Sequence, residues 1–138
     1  MIIEIRYASK TGNTKKIANA IGEELNIEAK TIKESIGKTD LLFLGGALYA
    51  DKISSDLKKF ISTLDNNVKQ VVIFGSSASK DTPYESIKKL LDEKNILVNE
   101  KTFNSPGNFI FYKWTRPNKE DLNNAKKFAK TIIEETKL

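Results

Sequence analysis

The sequence predicts a doubly wound α/β fold: a parallel sheet of about five strands with helices on both faces. Three observations predict it. Apolar runs alternate along the chain with segments of helical spacing. Two of those runs, Leu41-Leu42-Phe43-Leu44 and Val71-Val72-Ile73-Phe74, are unbroken, which suits strands buried on both sides by helices. Three strand ends run into loops of small or hydroxyl residues, at 9–14, 45–52 and 75–84. In such a fold these loops converge in the crevice at the C-terminal strand ends.

The elements follow in order. A first strand is expected over about 2–8, its apolar run interrupted by Glu4 and Arg6. A helix begins near Asn13, with Ile17, Ala18, Ile21 and Leu25 on one face, and a second strand spans Ile27 to Ile32. The third strand is Asp40 to Gly45. From Ser54 or Ser55 the residues Leu57, Phe60, Ile61 and Leu64 recur at helical spacing, and Gln70 to Phe74 is again a buried strand. Thr82-Pro83-Tyr84-Glu85 reads as a capping box with proline at the first helical position, ahead of Ile87, Leu90 and Leu91. Ile96 to Phe103 gives the last strand. Asn118 caps a final helix that turns Leu122, Ala125, Phe128, Ala129, Ile132 and Ile133 inward.

A chain of 138 residues with 39% hydrophobic content and no linker or repeat is expected to form one domain, 1–138. The apolar N-terminal run is short enough to be a strand rather than a signal. The longest later run, Leu41 to Ala50, is about half the ~20 residues that a membrane span needs, so a cytoplasmic protein with no membrane partner is expected. The chain has no His and no Cys. That excludes Ser-His-Asp and Cys-His nucleophiles, an imidazole base and thiolate or imidazole metal sites. Any chemistry must then come from carboxylates, hydroxyls, lysines, backbone amides or a borrowed cofactor; the cofactor is the economical choice, and no catalytic or metal-ligating residue is singled out. The net charge of +5 and pI near 9.3 invite a nucleic-acid reading. Only two of the 23 basic residues are arginines, Arg6 and Arg116, whereas base and phosphate recognition favours the arginine fork. The lysines fall on predicted outer helix faces, so no nucleic-acid partner is expected.

Ser9-Lys10-Thr11-Gly12-Asn13-Thr14 carries the most chemistry. It joins the first strand directly to the first helix, where free N–H groups and the positive end of the dipole favour a dianion. With a single glycine, two readings stand: a phosphate cradle, or a capped turn that binds no ligand.

This hexapeptide matches throughout the phosphate loop Thr/Ser-x-Thr-Gly-Asn-Thr of the flavodoxin family, and the chain resembles that family over most of its length. The resemblance implies a strand order 2-1-3-4-5 and a non-covalently held FMN. It places Ala47, Leu48, Tyr49, Ala50 and Asp51 in the loop that covers the inner flavin face, with Tyr49 in the stacking place. It places Ser76, Ser77, Ala78, Ser79, Asp81 and Tyr84 in the loop that covers the outer face, where Asp81-Thr82-Pro83-Tyr84 is similar to the family's Asp-x-x-Tyr. The implied activity is electron transfer by a monomer between redox partner proteins. Two alternatives remain open: an FMN-dependent oxidoreductase, such as a quinone reductase or a protoporphyrinogen oxidase-like enzyme, and a phosphate- or nucleotide-binding regulator without flavin.

Two departures from the family pattern stand out. Lys10, Lys52 and Lys80 sit in the three loops where flavodoxins are acidic, which favours acidic partners and a less negative potential. Ala50 stands where the family usually has a glycine whose peptide flips on reduction, and alanine resists a positive φ. The aromatic stretch 109–116 reads either as strand extension or packed loop, or as a lid beside the cofactor.

Overall fold

The unbroken apolar runs form the centre of a six-stranded sheet. The computed structural model describes residues 1–10, 12–49, 52–77, 82–106 and 117–136. Strands β3 (Thr39–Ala47) and β4 (Val68–Ser77) pair in parallel, with β1 (Ile3–Tyr7) and then β2 (Lys30–Thr31) beyond β3. On the other side, β5 (Leu97–Val98) and β6 (Phe103–Pro106) both pair with β4. The order β2-β1-β3-β4-β5 is the expected one.

Alternation along the central strands decides which helix covers which face. Leu41, Phe43, Val72 and Phe74 pack with Ile5 and Tyr7 beneath α1 (Asn13–Leu25) and α4 (Lys119–Thr136). Leu42, Leu44, Val71 and Ile73 point the other way, beneath α2 (Ser55–Ser62) and α3 (Tyr84–Glu93). Ser54 caps α2 by accepting the Leu57 N–H at 3.2 Å. Asn118 and Asp121 exchange side-chain-to-backbone bonds of 2.9 Å each at the start of α4, a reciprocal capping box. At α3 the Thr82 hydroxyl accepts the Tyr84 N–H at 3.4 Å beside Pro83.

Two expected strands differ. The last one is interrupted: between the pairs Val71↔Val98 and Phe74↔Phe103 the outer chain spends two residues more than β4. At that bulge the Thr102 hydroxyl donates to the Ile73 carbonyl. The second strand shrinks to Lys30–Thr31, because the backbone turns away at once, with Glu34 N–H bonded to the Thr31 carbonyl. No helix follows it before β3. The link 32–38 is held instead by Arg6, which projects from β1 on the face opposite Ile5 and Tyr7 and is only 3% exposed. Its guanidinium donates to the carbonyls of Glu34 (2.9 Å) and Ser35 (3.0 Å), to Ile5 O, and to the Glu4 carboxylate (3.0 Å). Asn67 Nδ2 donates to Gly37 O at 2.9 Å.

Gly45, Gly46 and Gly75 suggest room for a ligand, yet a Cβ on Gly45 would meet the Phe74 ring at 2.3 Å, and one on Gly46 would meet Leu57 at 2.6 Å. On Gly75 it would meet the Gly46 carbonyl oxygen at 2.4 Å. Close packing of the sheet and its helices requires these three glycines. No helix among the described residues is long and apolar enough to cross a membrane.

Candidate functional site at the C-terminal strand ends

The strand-to-helix turn after β1 holds the cradle. Gly12 has φ 89° and ψ −4°, a left-handed conformation that an L side chain adopts only with strain, and it occupies the N-cap of α1. Glycine brings no capping side chain and the first helical turn carries no acid, so its donors are left for an anion. Ser9 Oγ accepts the Gly12 N–H at 3.0 Å and tightens the turn.

Asn13 begins the helix and is 1% exposed, with neither its side-chain oxygen nor its side-chain nitrogen hydrogen-bonded. Burying an amide without a partner is costly, and such a group in a folded protein calls for an explanation. Thr14 is turned inward. Its hydroxyl donates to the Gly46 carbonyl at 3.3 Å and lies 3.1 Å from Ser76 Oγ, so the two buried hydroxyls strut α1 against β3 and β4. The Thr14 backbone N–H remains in the first turn.

The loop after β3 adds Ala47 and Leu48, both buried, and Tyr49, half-buried. Tyr49 and Lys52 exchange backbone hydrogen bonds of 2.7 and 3.1 Å, which closes the loop between them. The Tyr49 hydroxyl accepts the Lys10 N–H at 3.0 Å, and the Lys10 ammonium lies 4.8 Å from the ring centre. Tyr49 therefore stands beside the cradle with its phenolic hydrogen still available to donate. Lys10 and Lys52 are exposed.

Tyr84 is elsewhere. At the start of α3 it is half-buried against the α2–α3 side of the core, and its hydroxyl donates to the Asn99 carbonyl at 3.4 Å. Burial pushes its phenol above the ordinary value, so it stays protonated as that donor. This hydrogen bond ties the start of α3 to the segment that follows β5. Thr11, Ala50, Asp51, Ala78, Ser79 and Asp81 lie outside the described residues, as do Lys80, the side chain of Ser77 and the 109–116 stretch.

Sequence reasoning missed the part played by Arg6. A charged residue in the middle of a strand bound for the sheet was the available signal, but the link it holds comes from a distant part of the chain. Among the described residues no group of three His, Cys, Asp or Glu could hold a metal.

Comparison with known proteins agrees with this geometry. A model of the flavodoxin domain matches residues 4–113, and the chain belongs to that family. It is 27% identical over 135 residues to an uncharacterized protein of Methanocaldococcus jannaschii, covering 88% of this chain and 90% of that one. A flavodoxin from the domain Archaea superposes with a TM-score of 0.82 over 100% of both chains at 19% identity. Flavodoxin 2 of Bacillus cereus gives 0.75 at 21% identity, over 98% of this chain and 99% of that one. At such identities these two structures show a common fold.

Proposed function

We propose that this protein binds FMN non-covalently and carries single electrons between redox partner proteins, with no substrate turnover of its own. The observation that carries the reading is the orphaned Asn13 amide at the mouth of an uncapped helix N-terminus. A phosphate held there would accept from the free first-turn amides and from the Asn13 Nδ2. When bound, FMN supplies the one-electron chemistry. The chain supplies position: Gly12 sets the cradle, the Thr14–Ser76 strut fixes α1 on the sheet, and Tyr49 offers an aromatic face together with a hydroxyl donor.

Titration with FMN and with riboflavin, followed by absorbance and flavin fluorescence, tests this. FMN should bind at least about a hundredfold more tightly, since several charge-assisted bonds of roughly 1.5–3 kcal/mol each are at stake. A protein that binds neither flavin is not a carrier of this kind. Steady turnover of reduced nicotinamide with a quinone would make it an enzyme.

The exposed lysines bear on potential and partner. Ammonium groups near reduced, anionic flavin stabilise it, so Lys10→Gln and Lys52→Gln should each lower the second one-electron potential. Screened surface interactions place the shift at about 10–40 mV, shrinking at high salt. Unchanged potentials, indifferent to ionic strength, would mean that these ammoniums do not act on the flavin. The same charges suit a partner with an acidic docking face, whose association slows as salt rises.

A further inference from the structure

A cavity of about 700 Å3 opens between the 31–35 segment and α2, a volume in the range of small-molecule sites. The β2–β3 crossover beside it is a short link with no helix. Buried Arg6 holds one wall by fastening the carbonyls of Glu34 and Ser35, and Asn67 fastens Gly37. The cavity shares Ser9, Lys10, Ala47 and Tyr49 with the cofactor loops, but Gly12, Asn13, Thr14 and Ser76 do not line it.

Its chemistry is one-sided. Ile32, Phe60 and Tyr49 supply apolar surface, while the lining holds three lysines, Lys10, Lys33 and Lys59, against a single acidic residue, Asp56. The hydroxyl oxygens of Ser9, Thr31 and Ser54 each accept one backbone N–H, from Gly12, Lys33 and Leu57. None of the three donates its hydrogen to another described residue. The lining is therefore rich in unused donors around an apolar patch, which calls for an acceptor-rich, negatively charged molecule with a flat apolar body.

We propose that this cavity is a second ligand site, separate from the flavin phosphate cradle, and that it takes a planar aromatic carboxylate. The ring system would lie on Phe60 and Ile32, and the carboxylate would meet Lys33, Lys59 and the free hydroxyls. Tyr49 and Lys10 form the wall common to both sites, so the ligand sits beside the cradle without occupying it.

Titration of the full chain with 2-naphthoate, with and without FMN, and followed by backbone amide NMR, tests the proposal. Saturable shifts are expected at Lys33, Ser35, Lys59 and Thr63 whether or not FMN is present. The uncharged isostere 2-naphthamide should bind about tenfold more weakly. The double variant Lys33→Gln/Lys59→Gln should lose about tenfold for naphthoate and little for naphthamide. Absence of saturable shifts, equal affinity for acid and amide, or an unaffected double variant overturns it. Shifts centred on Asn13 and Thr14 that FMN abolishes also overturn it, since the probe is then reading the cradle. Flavin binding is read separately by absorbance, so failure of the FMN reading and failure of this one are distinguishable.

Discussion

Asn13→Leu should move flavin affinity and protein stability in opposite directions. Leucine nearly reproduces the shape of asparagine, and the native amide is buried with both polar atoms unpartnered. Removing it from the flavin-free protein abolishes a desolvation cost, so that form should gain about 1–2 kcal/mol and a few degrees in Tm. The complex loses a hydrogen bond to a charged phosphate, worth roughly 1.5–3 kcal/mol, so the FMN Kd should rise about ten- to a hundredfold. Riboflavin, which has no phosphate, should be little affected. An asparagine that merely supported the fold would lose stability and both flavins together. A lower Tm for the flavin-free variant would therefore show that the amide already has a partner and that the cradle was not shaped around a ligand.

Legibility from sequence followed how local the determining physics is. β3 and β4 were readable because strands covered on both faces carry uninterrupted apolar runs, and Ser54 and Asn118 because a cap is satisfied within three residues. The phosphate turn is contiguous, so its residue types alone imply its shape. Tyr84 shows the limit. A motif places a backbone position, but the direction of the ring depends on the Asn99 carbonyl, which the chain reaches only after α3 and β5. Gly45 and Gly75 show another: small residues at a strand end look the same whether a ligand or a neighbouring Phe74 ring, carbonyl or proline comes close. The break between β5 and β6 comes with two extra residues on the outer chain, which no period-2 pattern records. The 31–35 cavity was hidden for the same reason as the role of Arg6, since both arise where the link meets β1 and α2.

Arg6→Met should be the most destabilising of the substitutions considered, while leaving the cradle residues untouched. Methionine keeps the apolar stem but removes the donors that satisfy the Glu34 and Ser35 carbonyls, and it leaves Glu4 without its ion-pair partner. Each orphaned carbonyl costs on the order of 1–3 kcal/mol when shielded from water, and these sites are only partly shielded. A total loss of about 3 kcal/mol is expected, or roughly 10 °C in Tm for a domain of this size. Arg6→Lys should recover less than half of it, because a single ammonium cannot reproduce the planar fork that grips two successive carbonyls. Thermal unfolding of the three proteins measures the first effect, and amide exchange reads the second, since the Ile32 and Glu34 amides at the start of the link should lose protection before the core strands do. Full rescue by lysine would make Arg6 a source of positive charge and packing only. Loss without full rescue would mean that a directed hydrogen-bond clamp holds the 32–38 link, and that the cavity wall beside Tyr49 is set by one guanidinium on β1.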